Sequence, residues 1–130
     1  MSNEEPEHDR RETIYDLEER TALFGGAIVR FAKKIPQNIV TKSLTDQLVR
    51  VGTSVGSNYC EADDAVSKRD VHHEISNRKK EARETKHWLR MIAVADADMK
   101  VDARTLWQES KELHLYFRRN CTMHELGIRH

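Results

Sequence analysis

The sequence predicts an all-α protein, an antiparallel up-down-up-down four-helix bundle in a single domain. Only five glycines and two prolines interrupt 130 residues, so long helices are possible almost everywhere. Four segments place apolar side chains at steps of three and four, which keeps one stripe of each helix facing a partner. No segment shows the alternation of apolar and polar residues that is typical of a strand. Four amphipathic helices with short connections pack most simply as such a bundle.

The first helix follows a polar N-terminal segment. Residues 1–12 are almost free of large apolar groups and are predicted to form a disordered acidic tail, so the bundle domain spans residues 13–130. Apolar residues recur at helical spacing from Ile14 to Ile35. Pro36 then ends the helix, because its ring clashes with the preceding turn and it lacks an N–H donor.

Helices two and three are predicted to form a hairpin that turns near Ala65. Residues 37–42 are predicted to form a connection or a frayed first turn. Helix two then begins at Ser43, which together with Asp46 resembles a capping box, and it runs to Ala62. Helix three opens in the same way at Ser67 and continues for about 30 residues, a length of about 45 Å.

The fourth helix follows an acidic connection. Asp96, Asp98 and Asp102 lie there, and acidic side chains favour the N-terminus of a following helix because of its dipole. Leu113 is predicted to face the core, and Gly127 marks the C-terminal end of the helix.

The composition limits the classes of function. No stretch has the apolar length of a membrane span, and the N-terminus lacks the basic and then apolar order of a signal peptide. The two cysteines, Cys60 and Cys121, lie far apart in the sequence and are expected to be reduced thiols. We therefore expect a cytoplasmic protein without a membrane partner.

The formal net charge is zero, which argues mildly against a dedicated nucleic-acid binder, but the charge is unevenly distributed. Residues 1–20 contain eight acidic and three basic side chains. The remaining chain contains nineteen basic and fourteen acidic side chains, so the body of the protein is mildly basic.

Two short patterns resemble reactive sites. Gly52–Gly56 matches the G-x-S-x-G pattern of serine hydrolases, but that motif requires a strand-to-helix elbow, and here it lies within a predicted helix. Glu84 and His87 match half of a di-iron motif, but Asp70 and His73, the possible second half, lie on the same helix. We therefore predict no catalytic residue, metal or cofactor, and we expect that the protein is not an enzyme.

Polar residues on or beside the core stripes of helices two and three form a second candidate. They are Asn58, Glu61, Arg78, Glu81 and Glu84. Burial of such groups is unfavourable unless they pair, so they are predicted to pair across the two helices. The favoured interpretation is a structural network that fixes the helix register or a subunit contact. The alternative is a ligand pocket, which depends only on the convergence of carboxylates.

Basic residues form a third candidate, because four of them follow steps of four, three and four on helix three and two more lie late in helix four. They are Lys79, Arg83, Lys86, Arg90, Arg118 and Arg119. Glu81 and Glu84 interleave in the sequence, which favours a solvated face with ion pairs. The alternative is contact with RNA or DNA phosphates. No aromatic residue lies in the stripe, so such contact would follow backbone shape rather than bases.

Small residues form a smooth strip on helix two. Gly52, Gly56 and Cys60 repeat every four residues, and either another helix or a neighbouring subunit could pack against them. Trp88 is predicted to pack either at a subunit boundary or in the core.

Several of these residues also carry a family resemblance. The matching segments are Gln47–Arg50, Gly52–Ser54, Asn58–Tyr59, Glu61–Ala62, Ser67, Glu81–Thr85 and Trp88–Leu89. In them the sequence resembles a family of bacterial four-helix-bundle proteins, whose first members were open reading frames inside intervening sequences of large-subunit ribosomal RNA genes. Val51 and Val55 depart from it, since serine and isoleucine are common there.

The resemblance implies an antiparallel four-helix bundle that assembles into a ring-like homo-oligomer, a pentamer. The accessory variability protein of diversity-generating retroelements, which partners a reverse transcriptase and RNA, is similar more distantly. The resemblance implies no catalytic residue in this sequence. The leading hypothesis is a non-enzymatic adaptor that contacts RNA or an RNA-processing protein through a basic helical face. The alternative is a structural scaffold that binds a protein partner and has no role with nucleic acids.

Overall fold

The structure, a computed structural model, describes residues 6–56 and 68–125. The described residues form four α-helices and a short 3₁₀ turn: α1 (Pro6–Lys34), α2 (Ile39–Ser54), α3 (Lys68–Ala95), the turn (Ala97–Met99) and α4 (Lys100–Glu125). No strand occurs among them, so the predicted all-α class is confirmed. None of the helices in these ranges combines the length and the hydropathy needed to cross a membrane.

Helix α1 is longer than the sequence analysis predicted. It begins at Pro6, so residues 6–12, which were assigned to the disordered tail, belong to the helix. A proline suits the first turn because the N–H that it lacks would have no partner there. The glutamates and arginines that follow have good helix propensity. The rest of the predicted tail, residues 1–5, lies outside the described residues.

Helix α2 also begins earlier than predicted. The Asn38 side chain accepts hydrogen bonds from the backbone N–H groups of Val40 and Thr41, both at 2.9 Å. The Thr41 hydroxyl accepts from the Asn38 N–H at 2.9 Å and donates to the Pro36 carbonyl at 2.7 Å. These bonds form a complete capping box. The predicted start at Ser43 is therefore wrong, since Asn38 already caps the helix.

The connection between α3 and α4 is short. As predicted, its acidic residues lie at the N-termini of helical segments. The Asp96 carboxylate accepts a hydrogen bond of 3.1 Å from the Asp98 N–H and begins the 3₁₀ turn. Asp102 lies in the first turn of α4, where a negative charge is favourable. The predicted hairpin turn at Ala65 and the cap at Ser67 lie outside the described residues.

The core lies between all four helices. Helix α3 packs against α2 and α4, and α1 packs against α2 and α4 as well. Burial of each large apolar side chain stabilises the fold by about 1.5–3 kcal/mol. The largest fully buried apolar side chains within the helices are Ile28, Leu48, Val51, Leu89, Ile92, Leu113 and Phe117.

Helix α1 approaches α2 and the turn that follows it closely at two small residues, Gly52 in α2 and Gly56 in the turn. A methyl group added at Gly52 would lie 3.0 Å from Cγ1 and Cγ2 of Ile28 in α1. At Gly56 it would lie 2.5 Å from Cβ of Thr21. The smooth strip therefore packs against α1 of the same chain at these two glycines, whereas Cys60 lies outside the described residues.

Ion pairs connect α1 to α4 at two levels. The Arg20 guanidinium donates to Glu109 at 2.6 and 2.9 Å and to Glu112 at 2.8 Å. These bonds raise the pKa of Arg20 against the effect of its partial burial, with the bond to Glu109 as the largest cause. Lys34, at the end of α1, lies 3.5 Å from Asp102, near the start of α4. Of these two α1 residues, the later one therefore pairs with a residue earlier in α4.

Candidate nucleic-acid interface

The basic stripe that the sequence predicted on helix three faces α4. Lys86 is partly buried, and its Nζ atom lies 3.3 Å from Nδ1 of His114. Arg90 lines a cavity together with Lys100 and Arg104 of α4. Lys79 and Arg83 are close enough to His114 to influence its charge. The stripe therefore forms one side of a groove between the two helices.

The other side of this groove is a basic stripe on α4 that the sequence analysis missed. It contains Lys100, Arg104, Lys111, His114 and Arg118, with Trp107 between Arg104 and Lys111. These positions follow steps of four, three, four, three and four, so they share one face of the helix. This spacing is the signal that could have found them. We call the two stripes together the basic groove, formed by Lys79, Arg83, Lys86 and Arg90 of α3 and by Lys100, Arg104, Lys111, His114 and Arg118 of α4.

Arg119 was predicted together with Arg118, but it lies outside the basic groove. Neighbouring positions on an α-helix are rotated by about 100°. Arg119 is exposed and directly follows Arg118, so it lies on a different side of α4 from the groove residues. Among the predicted basic residues, Arg118 rather than Arg119 joins the α3 stripe.

Like charges crowd one another in the basic groove. Burial lowers the pKa of Lys86, and Lys111 and Arg83 lower it further. Burial also lowers the pKa of His114, followed by the charges of Lys86, Arg83, Lys79 and Arg118. Among the described side chains, no carboxylate forms an ion pair with a basic residue of the groove. The groove therefore concentrates positive charge that its described neighbours do not neutralise.

Trp107 lies beside two of these cations. The Nζ atoms of Lys86 and Lys111 lie 5.7 and 5.6 Å from the centroid of its ring, within the range of cation–π interactions. An aromatic side chain is therefore part of the groove, although the α3 stripe that the sequence analysis considered contains none.

Glu81 and Glu84 of α3 do not share the face of the basic groove. Glu81 is bound by Arg78, and Glu84 lines a cleft of about 160 Å³ between α2 and α3. On α4, Glu109 and Glu112 bind Arg20 of α1. Acidic and basic residues that alternate in the sequence are thus separated onto different sides of their helices.

The predicted polar network is centred on Arg78, whose side chain is 4% exposed. Its Nε atom donates to Glu81 at 3.1 Å and its Nη1 atom to Glu74 at 3.0 Å. Both carboxylates lie on α3 itself, because residues three and four apart meet on one helix. The pairing across helices two and three stays a prediction, since it depends on the residues of helix two. Asn58 and Glu61 lie outside the described residues.

Burial raises the pKa of Glu81, an effect larger than the opposing attraction of Arg78. The neighbouring cleft between α2 and α3 is lined by both acidic and basic side chains, together with Val51. Its polar lining residues are Arg50, Ser54, Asn77, Lys80, Glu81 and Glu84. Among the residues that the structure describes, no group of three or more His, Cys, Asp or Glu side chains could hold a metal ion.

The other sequence patterns have ordinary helical surroundings. Ser54 of the hydrolase-like pattern donates to the Arg50 carbonyl at 2.7 Å, inside α2. His87 is exposed and makes an edge contact with Trp88, with 4.8 Å between the ring centroids. Trp88 is partly buried and packs against the core cluster, one of the two positions predicted for it.

Fold and surface together define the class: a four-helix bundle that presents a basic groove between two of its helices. The chain belongs to the family of 23S rRNA-intervening sequence proteins, whose sequence model matches residues 16–117. The family predicted from the segments between Gln47 and Leu89 is therefore confirmed.

A solved structure resembles the fold. It is the 1.70 Å crystal structure of a protein of unknown function from the S23 ribosomal protein family of Bacteroides thetaiotaomicron, with a TM-score of 0.72 and 23% sequence identity. The alignment covers 84% of this chain and 97% of that one. At this identity the likeness supports the fold alone. No curated protein matches the sequence.

Proposed function

We propose that this protein is a cytoplasmic, non-enzymatic, homo-oligomeric adaptor that binds RNA through the basic groove. The observation that carries the proposal is the crowding of basic side chains from α3 and α4 without a described carboxylate partner. Burial is the main cause of the lowered pKa of Lys86, and the repulsion by Lys111 and Arg83 that lowers it further would be offset by phosphates at this surface. Membership of a family related to ribosomal RNA intervening sequences agrees with an RNA ligand.

The proposal includes an antiparallel up-down-up-down arrangement of the helices. Two features support it. The connections of residues 35–38 and 96–99 are short, as expected between antiparallel neighbours. Arg20 precedes Lys34 in α1, whereas the partner of Arg20, Glu109, follows the partner of Lys34, Asp102, in α4.

The basic groove favours contact with the phosphate backbone rather than with base edges along most of its length. Its α4 stripe extends from Lys100 to Arg118, which is about 27 Å along the helix. The groove residues are mostly Lys and Arg, and such contacts position a nucleic acid without specifying its sequence. Binding should therefore depend steeply on salt and recognise structured RNA through its backbone.

The test is a titration of the full-length protein with labelled structured RNA, followed by fluorescence anisotropy at several salt concentrations. The double variant Lys79→Gln/Arg118→Gln removes one cation from each side of the groove. Its slope of log affinity against log salt should decrease by about 1.5, since each neutralised phosphate contributes about 0.7–0.9. The control variant is Lys42→Gln/Arg50→Gln, which removes two exposed cations of α2.

We expect the control variant to retain the wild-type slope. The proposal is contradicted if the wild-type protein does not bind RNA at low salt. An equal decrease of the salt slope in the two double variants would also contradict it, because binding would then depend on the total charge of the protein rather than on the groove.

A second observation favours the alternative function, a scaffold that contacts protein. Ile39 and Val40 at the start of α2, Val94 at the end of α3 and Val101 at the start of α4 are all more than half exposed. The contact between Lys34 and Asp102 brings these helix ends to the same end of the bundle. Exposed apolar side chains that lie together are typical of protein contacts.

We propose that this apolar end contacts further copies of the chain in the homo-oligomer, a pentamer as the family resemblance implies. Light scattering should then give five times the chain mass of 15.2 kDa. Ile39→Lys/Val94→Lys should reduce the mass to that of the single chain. A monomeric wild-type protein would contradict the oligomer, and a different protein that remains bound after nuclease treatment would favour the scaffold alternative.

A further inference from the structure

A cavity of about 410 Å³ lies between α3 and α4, next to the 3₁₀ turn. Its apolar part comprises Leu89, Ala93 and Ala103, and the ring of Trp107 contributes an aromatic surface. We call it the Trp107 pocket, lined by Leu89, Arg90, Ala93, Lys100, Ala103, Arg104, Trp107 and Gln108.

The charge of the Trp107 pocket is entirely positive. Arg90, Lys100 and Arg104 line it, whereas no acidic side chain among the described residues does. All three are exposed, so they remain accessible to a ligand. Guanidinium groups suit a phosphate because their N–H donors can bind two of its oxygens at once. The cavity therefore combines an apolar and aromatic surface with a set of phosphate-binding groups.

Trp107 lies between the pocket and the remainder of the basic groove. Lys86 and Lys111, whose amino groups lie near its ring, are located further from the 3₁₀ turn than the pocket residues. The base of a nucleotide can stack on an aromatic ring, and such stacking tolerates any base because every base has a π-face. The volume of the cavity also lies within the range of small-molecule sites, about 300–1,000 Å³.

We propose that the Trp107 pocket binds one nucleotide, with its base against Trp107 and the aliphatic residues and its phosphate among Arg90, Lys100 and Arg104. The amide of Gln108 can donate to or accept from the edge of the base. The nucleotide is either free or an unpaired unit of an RNA strand, and the second source rests on the proposed RNA binding. The pocket adds base contact to a groove that otherwise contacts phosphates.

The test uses the fluorescence of Trp107. The protein contains two tryptophans, so Trp88→Phe leaves Trp107 as the reporter. This variant is titrated with adenosine monophosphate, with inorganic phosphate and with two RNAs, a single strand and a blunt duplex. Adenosine monophosphate should quench the emission saturably, whereas inorganic phosphate should not. Quenching by the single strand but not by the duplex would identify unpaired RNA as a source.

Two further variants separate the pocket from the rest of the groove. Arg104→Gln removes one exposed cation and should weaken the binding of adenosine monophosphate about tenfold, because the phosphate loses a charge-assisted hydrogen bond. Ala93→Leu should occupy the apolar part of the cavity, where the base would bind, and abolish quenching, while binding of duplex RNA persists. Lys79→Gln/Arg118→Gln should have the opposite effect, with weak duplex binding and normal quenching by adenosine monophosphate.

Absence of saturable quenching by adenosine monophosphate in a folded protein that binds duplex RNA would overturn the nucleotide site and leave the proposed function intact. Quenching by adenosine monophosphate without any binding of RNA would support the site and contradict the proposed function. Quenching that keeps its wild-type affinity in both Arg104→Gln and Ala93→Leu would place the ligand elsewhere and also overturn the site.

Discussion

The Nζ atom of Lys86 lies 3.3 Å from the Nδ1 atom of His114, so a cation of α3 directly faces a titratable ring of α4. An ammonium group can only donate, so Nδ1 must accept and the ring is neutral in this arrangement. A neutral ring agrees with the lowered pKa of His114, which burial causes first and Lys86 second. The pair therefore links the charge of the basic groove to pH.

The first prediction concerns stability at low pH. The pKa of His114 is lower in the folded protein than its ordinary value of 6.5, so the unfolded chain binds a proton more readily. Its contribution to the free energy of unfolding is fully present above pH 6.5 and decreases as the pH falls through the lowered value. His114→Gln should therefore lose less stability between pH 7.5 and pH 5 than the wild type, in urea unfolding at each pH.

His87→Gln is the control for this prediction, because His87 is exposed and has no described contact with the basic groove. His87→Gln should lose as much free energy of unfolding between pH 7.5 and pH 5 as the wild type. If His114→Gln and the wild type lose the same free energy between the two pH values, the neutral ring beside Lys86 is not a feature of the folded protein.

The second prediction links pH to RNA binding. Bound phosphates would raise the pKa of His114, because they favour its charged form and oppose the effect of Lys86. Proton uptake should therefore accompany binding, and RNA affinity should increase as the pH decreases from 7.5 to 6. His114→Gln should bind with a smaller pH dependence, which anisotropy at constant ionic strength can measure. An affinity of the wild type that does not vary in this range would contradict the linkage.

The third prediction concerns the buried ion pairs of Arg78. Arg78→Met should destabilise the protein by about 2–4 kcal/mol, because it leaves the carboxylates of Glu74 and Glu81 partly buried without their partner. Addition of Glu74→Gln and Glu81→Gln should recover most of this loss, since no unpaired charge then remains. Urea unfolding of the single and triple variants measures both effects.

Lys34→Met is the matched control for Arg78→Met. Lys34 and its partner Asp102 are both more than half exposed, so loss of this pair should change the free energy of unfolding by less than about 1 kcal/mol. An equally small effect of Arg78→Met would mean that Arg78 is solvated rather than buried. A triple variant that is less stable than Arg78→Met would show that the carboxylates have other roles in the fold.

Features set by spacing along a single helix could be predicted from the sequence. The periodicity between Ile14 and Ile35 predicted most of α1, and the stripe from Lys79 to Arg90 predicted one side of the basic groove. Such patterns specify which residues share a face. The start of α2 could not be located in the same way, because Asn38 and Ser43 both resemble caps and only the bonds of Thr41 distinguish them.

Features that depend on which helix faces which stripe could not be predicted. The stripe of α4 was visible as a spacing, but nothing in that spacing places Lys111 or Trp107 beside Lys86. In the same way, Glu81 alternates with basic residues in the sequence, and only the packing shows that it binds Arg78 on a different side of α3. Contacts across helices are set by packing of the whole core, which local patterns do not encode.

The fourth prediction concerns the close approach of α1 and α2. Gly52→Ala should destabilise the protein by about 1–3 kcal/mol, because the new methyl group would lie 3.0 Å from a fully buried Ile28 that cannot move away. Gly26→Ala is the matched control in α1. Its methyl group would meet only the flexible end of Arg30 at 3.4 Å, so it should be neutral or stabilise by about 0.5–1 kcal/mol through helix propensity.

Ile28→Ala provides the second half of a double-mutant cycle for this contact. That change alone should cost about 2–5 kcal/mol, but it removes the atoms against which the methyl group at position 52 would press. The cost of Gly52→Ala should therefore largely disappear in the Ile28→Ala background, which would appear as a coupling free energy of about 1 kcal/mol or more. If Gly52→Ala is as well tolerated as Gly26→Ala, or if its cost does not depend on Ile28, the small residue at position 52 does not serve helix packing within the chain.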